Sequence, residues 1–190
     1  MSRAAFLDRD GVINRKALAG DYVTRWAEMH LLPGVAPAIS QLNQAGYLVV
    51  VVTNQRCVAK GLLSLADLEL LHRRMSAALS YGGAKIDAIY YCPHDFHDAC
   101  SCRKPQPGML LAAARDLDID LDRSWMIGDS DIDIEAGKNA GCRTVRLQNG
   151  AEEIPRVAAD FSANSLVQAV EKILARMVKT LAESADTHQK

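Results

Sequence analysis

Short runs of β-branched and aliphatic residues alternate along this chain with longer segments whose apolar residues recur at helical spacing. The short runs are predicted to be strands because each is bounded by turn residues. They cover 4–7, 48–53, 88–91, 125–127 and 143–147. Strands that alternate with helices form a parallel sheet whose faces are both covered. The sequence therefore predicts an α/β fold, a Rossmann-like parallel sheet with helices on both faces.

The longer segments are predicted to be helices at 37–45, 64–79, 107–117, 132–140 and 165–181. In the second of these, one stripe is apolar, as expected of a helix packed on a sheet; it consists of Leu65, Leu68, Leu71, Met75 and Leu79. The polar residues 183–190 are expected to form a disordered tail. A single domain is therefore predicted over 1–182.

The composition excludes several classes of protein. The chain has 190 residues, of which 49% are apolar and 24% charged, as in an ordinary folded domain. Its formal net charge of −1 creates no overall attraction for nucleic acid or an anionic membrane. The longest apolar stretch, 47–52, is far shorter than the roughly 20 residues that span a bilayer. We expect a cytoplasmic monomer, without a signal peptide or membrane anchor, that acts on a small molecule.

Acidic and polar side chains follow the predicted strands, at the edge where open parallel sheets bind ligands. Asp8 and Asp10 follow the first strand, and Thr53 ends the second. Arg103 and Lys104 follow the third strand after a cysteine-rich loop. Three aspartates follow the fourth strand, at positions 129, 131 and 133. Each group alone is an ordinary turn or surface feature, but their joint placement indicates a phosphate and Mg²⁺ site.

The order Asp-x-Asp, Thr, Lys, Gly-Asp-x-x-x-Asp resembles the four motifs of the haloacid dehalogenase superfamily of phosphohydrolases. The resemblance covers roughly residues 4–147. The segments FLDRDGVIN at 6–14, TNQ at 53–55, CPH at 92–94 and CRKP at 102–105 are similar to the branch of heptose bisphosphate phosphatases and histidinol phosphatases. That branch has no large cap domain, and the short segments 11–33 and 54–64 leave little room for one.

The resemblance implies a role for each group at the strand ends. Asp8 is expected to attack phosphorus and form an aspartyl phosphate. Asp10 is expected to protonate the leaving group and later to deprotonate water. Thr53 and Lys104 would donate to the phosphoryl oxygens. Mg²⁺ would be bound by Asp8, Asp129 and the backbone carbonyl of Asp10.

Asp133 has two interpretations of equal standing. It either orients this network or is an acid favoured at the N-terminus of a helix.

Substrate contacts are expected in two loops, again from the resemblance. Gly20, Asp21 and Tyr22 would touch the sugar, as would the three residues Asn54, Gln55 and Arg56. The loop 15–19 is longer than usual for the family, and RCVAKG at 56–61 replaces its more usual sequence. The planar guanidinium of Arg103 suits a second phosphate, which favours a bisphosphate substrate.

Three cysteines and a histidine cluster in the loop 92–102. Cys92, His94, Cys100 and Cys102 have the composition of a closed structural zinc site. His97, Asp95 and Asp98 are competing donors, and isolated thiols are the alternative to a zinc site. The two other cysteines, Cys57 and Cys142, are expected to be small apolar residues. His30, His72 and His188 have no comparable neighbours in sequence, and no chemical role is expected of them.

The leading hypothesis is a Mg²⁺-dependent phosphatase that removes the 7-phosphate of a heptose 1,7-bisphosphate. The closest alternative enzyme is a histidinol-phosphate phosphatase, although Arg56, Lys60 and Arg103 favour a bisphosphate over an amine. A phosphoacceptor signalling domain also uses strand-end aspartate, threonine and lysine, but Asp10 would discharge its phosphoaspartate. A zinc-stabilised binding protein is disfavoured because every catalytic position is present.

Overall fold

The computed structural model describes residues 1–18, 20–148 and 155–187. Within them, one parallel sheet has the strand order β3-β2-β1-β4-β5-β6. Its strands are β1 Arg3–Leu7, β2 Tyr47–Asn54, β3 Ala88–Cys92, β4 Trp125–Gly128, β5 Arg143–Leu147 and β6 Phe161–Ala163. The five predicted strands are confirmed. The short edge strand β6 was not predicted, because three residues are too few to show an alternating pattern.

Five α-helices and one 3₁₀ helix accompany the sheet in the described residues. The α-helices are α1 Val35–Gln44, α2 Leu65–Ser80, α3 Gly108–Leu117, α4 Asp131–Ala140 and α5 Leu166–Thr187, and the 3₁₀ helix is Trp26–Glu28. Ser64 caps α2 by accepting a hydrogen bond from the backbone N–H of Asp67 at 3.1 Å. All five predicted helices are present in the described residues.

Two helix boundaries differ from the prediction by two residues or more. Helix α1 begins at Val35, two residues before the predicted start at Pro37. Proline is tolerated in a first helical turn because the backbone N–H there has no partner within the helix. Helix α5 continues past 181 as far as Thr187, over much of the predicted tail, where Ala182 and Glu183 are good helix formers. Residues 188–190, with His188, lie outside the described residues.

The side chains of each strand alternate between two apolar cores, as the period of two requires. Ala5 and Leu7 of β1 pack with α1, α2 and α5 on one face of the sheet. Ala4 and Phe6 of the same strand pack with α3 and α4 on the other face. Both faces are therefore covered, which confirms the predicted layer arrangement.

The register of the central strands brings the motif residues together. Leu7 at the end of β1 pairs with Val51 of β2 on one side and with Ile127 of β4 on the other. Asp8, the next residue, therefore lies between the ends of β2 and β4, beside Thr53 and Asp129. Strands β2 and β4 lie on opposite sides of β1 in the sheet, and this arrangement opens a crevice beyond the carboxyl end of β1.

The loops between β1 and α1 and between β2 and α2 are too short for a large cap domain. The described part of the first loop, residues 8–34, contains one 3₁₀ helix and isolated bridges, and it forms no separate cap domain. Ala19, within the loop 15–19, lies outside the described residues. None of the described helices has both the length and the apolar character that crossing a bilayer requires.

Candidate active site

Asp8 and Lys104 form an ion pair at the centre of the crevice. The Lys104 ammonium lies 2.7 Å from Asp8 Oδ1 and also donates to the carbonyl oxygen of Val52 at 2.8 Å. Both side chains are buried, at 11% and 1% relative exposure for Asp8 and Lys104. The two residues are 96 positions apart in the sequence, so the sheet topology alone brings them together.

Burial and the opposite charge of the partner both shift the pKa values of Asp8 and Lys104. The pKa of the Asp8 carboxyl is raised to about 7, because burial and the carboxylates of Asp133 and Asp10 together outweigh the Lys104 ammonium, which lowers it. Burial would lower the pKa of Lys104, but the carboxylates of Asp133 and Asp8 outweigh it and raise the pKa above its ordinary value. Lys104 therefore remains a cation, and its charge favours the ionised form of Asp8 against the effect of burial.

Asp133 is a second carboxylate in contact with Lys104. Its Oδ1 lies 2.7 Å from the Lys104 ammonium, while its Oδ2 accepts from the backbone N–H of Ser130 at 3.1 Å and from the Ser130 hydroxyl. Asp133 thus both caps the start of α4 and orients the lysine, so the two interpretations of this residue hold together. A Cβ at Gly128 would lie 2.1 Å from the Asp133 Cβ, so this approach requires glycine.

Asp10 is held at the wall of the cavity by three donors. Arg9 donates to both of its oxygens, at 3.0 and 2.8 Å, and Asn14 Nδ2 donates to Oδ1 at 2.9 Å. Gln55 Nε2 donates to Oδ2 at 3.0 Å. Burial alone would raise the pKa of Asp10, but the Arg9 guanidinium and these hydrogen bonds together hold it below its ordinary value. Asp10 is therefore a carboxylate in this structure.

Three carboxylates converge where a cation would sit. Oxygen atoms of Asp8, Asp129 and Asp133 all lie within 4.8 Å of one another. Burial raises the pKa of Asp129, and the Lys16 ammonium, 3.0 Å from its Oδ2, opposes that rise. A Cβ at Gly11 would come within 2.1 Å of Asp129 Oδ2, so the chain passes close to this carboxylate. A cluster of hard oxygen donors fits Mg²⁺, which prefers carboxylates, phosphate and water.

The crevice above these residues is a cavity of about 870 Å³. Its lining includes the predicted catalytic and magnesium residues Asp8, Asp10, Thr53, Lys104 and Asp129, and the predicted contacts Gly20, Asp21, Tyr22, Asn54 and Gln55. An adjoining cavity of about 700 Å³ shares Gly20, Asp21 and Tyr22. The structure thus brings the loop after β1 next to the strand ends.

The amides of Asn54 and Gln55 are already engaged within the protein. Asn54 donates to the Lys104 carbonyl and accepts from the Lys104 backbone N–H, both at 3.0 Å. Gln55, 2% exposed, donates to Asp10 and also to Thr53 Oγ1 at 2.8 Å. These two side chains therefore hold Lys104 and Asp10 in place, a function beyond the sugar contacts that the resemblance implies.

Arg56 and Arg103 lie over the same aromatic ring. Their guanidinium carbons are 4.2 and 4.3 Å from the centroid of Phe96. Arg56 is ion-paired with Asp95, and Arg103 donates to the His94 carbonyl at 3.1 Å. Neither arginine lines the 870 Å³ cavity. The loop 92–102 therefore groups two cations beside the crevice rather than inside it.

The four predicted zinc ligands form one cluster. The ligand atoms of Cys92, His94, Cys100 and Cys102 lie within 4.8 Å of one another, and His97 is not among them. Cys92 Sγ lies 3.6 Å from both Cys100 Sγ and His94 Nδ1, and His94 Nδ1 lies 3.2 Å from Cys102 Sγ. Bond lengths of about 2.3 Å to sulfur and 2.0–2.1 Å to nitrogen give tetrahedral edges of roughly 3.6–3.8 Å. The donor set and spacing fit zinc.

Two features of the site were not found by sequence reasoning. Lys16 comes from an irregular loop that carries no motif, so nothing in the sequence pointed to Asp129 as its partner. His72 lies on α2, where it contacts Arg9 with a nitrogen–nitrogen distance of 3.2 Å. The position of Arg9 between two aspartates was a signal for a buried cation at this point, but its contact with α2 depends on the fold.

A parallel sheet with aspartate, threonine, lysine and aspartate at the ends of its strands is the arrangement of the haloacid dehalogenase-like hydrolases. The family model described as HAD-hydrolase-like matches residues 101–172. D-glycero-beta-D-manno-heptose-1,7-bisphosphate 7-phosphatase from Rhodopseudomonas palustris is 45% identical over 152 residues, which cover 76% of this chain and 83% of that protein. The D-glycero-alpha-D-manno-heptose-1,7-bisphosphate 7-phosphatase from Mycobacterium tuberculosis is 43% identical over 148 residues, with 75% and 77% covered.

Among solved structures, the D,D-heptose 1,7-bisphosphate phosphatase from B. bronchiseptica, complexed with magnesium and phosphate, superposes with a TM-score of 0.82. It is 36% identical, and the match covers 92% of this chain and 99% of that one. The chain belongs to the family of the D-glycero-D-manno-heptose-1,7-bisphosphate 7-phosphatases, within the haloacid dehalogenase-like hydrolases.

Proposed function

We propose that this chain is a Mg²⁺-dependent phosphatase that removes the 7-phosphate of D-glycero-D-manno-heptose 1,7-bisphosphate. The observation that carries this proposal is the position of the Asp8 carboxylate. It lies 2.7 Å from the Lys104 ammonium and within 4.8 Å of carboxylate oxygens of Asp129 and Asp133, with Asp10 on the wall of the same cavity. Such a site suits a phosphate monoester, and the names of its relatives suggest the sugar.

In the first half-reaction, an oxygen of Asp8 attacks phosphorus while the bond from phosphorus to the sugar oxygen breaks. The products are an aspartyl phosphate and a sugar alkoxide, which takes a proton from Asp10 as it leaves. Asp10 is ionised in this structure, so it must gain that proton when the substrate binds. The negative charge of an adjacent phosphate raises the pKa of a carboxyl group and favours this gain.

In the second half-reaction, the Asp10 carboxylate takes a proton from a water molecule. The resulting hydroxide attacks phosphorus, and the bond to the Asp8 oxygen breaks, which releases inorganic phosphate and restores both carboxyl groups. The Lys104 ammonium and the Thr53 hydroxyl donate to the phosphoryl oxygens throughout. Asn54 supports this step because it holds the Lys104 backbone through two hydrogen bonds.

Asp8, Asp129 and the backbone carbonyl of Asp10 are the ligands proposed for Mg²⁺, with Asp133 as a further nearby carboxylate. When bound, the cation neutralises the charge of the phosphate and so reduces its repulsion of the Asp8 nucleophile. Asp133 in this scheme chiefly keeps Lys104 aimed at Asp8, with its own second oxygen held by Ser130.

Zinc is proposed as a structural ion held by Cys92, His94, Cys100 and Cys102. The last ligand is two residues before Lys104, so the ion would fix the start of the segment that carries Arg103 and Lys104. The cluster places Arg56 and Arg103 together over Phe96. These cations, which lie outside the 870 Å³ cavity, and Gly20, Asp21 and Tyr22 on its lining are the proposed contacts for the sugar and its second phosphate.

We further propose that the chain acts as a monomer in the cytoplasm. Free cysteines in a zinc cluster suit a reducing compartment, where thiols are not oxidised to disulfides. Light scattering coupled to gel filtration tests the monomer, which predicts a mass near 20.7 kDa.

The decisive experiment measures inorganic phosphate release from both anomers of heptose 1,7-bisphosphate and from histidinol phosphate, with and without Mg²⁺. We expect metal-dependent turnover, with a higher kcat/KM for at least one heptose anomer than for histidinol phosphate. A preference for histidinol phosphate would replace the proposed substrate. Formation of a stable phosphoprotein without release of phosphate would indicate a phosphoacceptor domain instead.

A further inference from the structure

His72 on helix α2 contacts Arg9, the residue between the two aspartates that follow β1. Its Nε2 lies 3.2 Å from Arg9 Nη1, and both side chains are buried, with 4% exposure for His72 and 1% for Arg9. The other terminal nitrogen of Arg9 donates to both oxygens of Asp10. A chain of hydrogen bonds therefore runs from α2 through the guanidinium to Asp10, across 63 positions of sequence.

The direction of these hydrogen bonds is determined by the guanidinium. Arginine has donors and no acceptor, so His72 Nε2 must accept and its single proton must be on Nδ1. Burial and the charge of Arg9 lower the pKa of His72 to about 3, which agrees with a neutral ring. His72 is therefore a neutral acceptor that ties Arg9 to helix α2.

His72 is important because the long side chain of Arg9 can orient Asp10 only if the guanidinium is itself fixed in position. In the described residues, the hydrogen-bonding partners of the Arg9 guanidinium are Asp10 and His72, and its Nε has none. The imidazole in turn packs against Tyr91 on β3, with ring centroids 5.7 Å apart. Without the His72 acceptor on α2, the Arg9 guanidinium would no longer be fixed in position, and the Asp10 carboxyl group would lose its orientation.

We propose that His72, through Arg9, is a positioning residue that holds the Asp10 carboxyl group where it can pass its proton to the leaving group. This inference rests on the proposed function, in which Asp10 is the acid and base. It gives a function to a histidine for which the sequence indicated none, and it makes helix α2 part of the support of the reaction. A misplacement of about 1 Å in such a group can lower a rate about 100-fold.

The experiment compares His72→Phe with His72→Gln. Phenylalanine keeps a ring against Tyr91 but removes the acceptor, whereas glutamine restores an acceptor oxygen close to the position of Nε2. Tyr91→Phe is the matched control, since it keeps the ring contact and loses only a hydroxyl that donates to Glu69 at 3.1 Å. Thermal midpoints of all variants separate loss of folding from loss of function.

The readout is kcat/KM for an alkyl and an aryl phosphate, because this parameter reports the steps up to formation of the aspartyl phosphate. The alkyl esters are heptose 1,7-bisphosphate and glycerol 1-phosphate, whose leaving groups need a proton. The aryl ester is p-nitrophenyl phosphate, whose leaving group does not. In His72→Phe we expect the alkyl values to fall about 10- to 100-fold, and the aryl value to change less than about twofold. His72→Gln should recover most of the loss.

An equal fall for both kinds of ester, or no fall for the alkyl esters, would overturn the inference. A second measurement does not depend on turnover: the ¹⁵N chemical shifts of His72 should show a neutral ring protonated on Nδ1 at pH 7. A ring protonated on Nε2 would also overturn it. If the wild type hydrolyses glycerol 1-phosphate but not the heptose bisphosphate, the proposed substrate fails, while the alkyl and aryl comparison still tests His72.

Discussion

The ammonium of Lys16 lies 3.0 Å from Asp129 Oδ2, so an exposed cation neutralises one of the acids proposed to bind Mg²⁺. The Lys16 side chain is 60% exposed, whereas Asp129 is 11% exposed. An ion pair of this kind contributes little, about 0.2–1 kcal/mol, because water screens the exposed partner. It nevertheless competes with any cation that approaches the same carboxylate.

Replacement of this lysine should therefore strengthen binding of the metal. We expect Lys16→Gln to lower the dissociation constant for Mg²⁺ about 1.4- to 5-fold, which corresponds to the loss of an exposed ion pair. Calorimetric titration of the protein without substrate measures this constant. Lys85→Gln is the control, since Lys85 forms a similar exposed ion pair with Asp87. An unchanged or weaker affinity in Lys16→Gln would show that the two cations do not compete.

Replacement of Asp8 and replacement of Asp10 should impair turnover in different ways. Asp8→Asn removes the nucleophile, so phosphate release should fall on the order of 10⁴-fold or more. Asp10→Asn should slow turnover about 10²- to 10⁴-fold and let the aspartyl phosphate accumulate, because no base is left to activate water. Rapid acid quench with radiolabelled substrate measures both quantities. Asp116→Asn, at an exposed carboxylate that accepts from Tyr90, should keep wild-type rates; phosphoenzyme in Asp8→Asn would contradict the assignment.

Zinc content should follow the cluster of three cysteines and His94. Elemental analysis of the wild type is expected to give about one zinc per chain. Cys100→Ala should lose most of it, and each kcal/mol of lost stability should lower the thermal midpoint by about 2–4 °C. Cys142→Ala is the control, because this buried thiol lies outside the cluster. A metal-free wild type with full stability and activity would refute the zinc site.

Acid should destabilise the protein partly through His72. Its pKa is about 3 in the folded chain and 6.5 for an unperturbed histidine, so below pH 6.5 the unfolded state binds a proton that the folded state does not. Stability from this residue is thus complete above about pH 6.5 and is lost as the pH falls towards 3. Between pH 7.5 and 5 the loss is about 2 kcal/mol.

The His72→Gln variant isolates this contribution because glutamine does not titrate. We expect urea unfolding to show the wild type losing about 2 kcal/mol more than His72→Gln between pH 7.5 and 5. Carboxylates and cysteines change in the same way in both proteins and cancel in the comparison. Parallel pH profiles for the two proteins would mean that the ring is protonated, or accessible to water, in the folded state.

The architecture could be predicted from the sequence because each element carries its own signal. Strands β1, β2 and β4 are dense apolar runs, and the stripe from Leu68 to Leu79 marks α2. Strand β6 gave no such signal, since its three residues become a strand only by pairing Phe161 with Val145. The start of α1 was misplaced because proline favours the first helical position, whereas Pro37 is the third residue of this helix.

The sequence by itself determined which reactive groups this protein has and at which edge of the sheet they stand, because strand ends are visible in the local pattern. Only the tertiary structure decided their partners: Lys16 with Asp129, Asp133 with Lys104, and His72 with Arg9. Each of these contacts joins residues from separate elements, with 113, 29 and 63 positions between them. Contacts over such separations depend on how helices and loops pack, and the local sequence pattern gives no information about them.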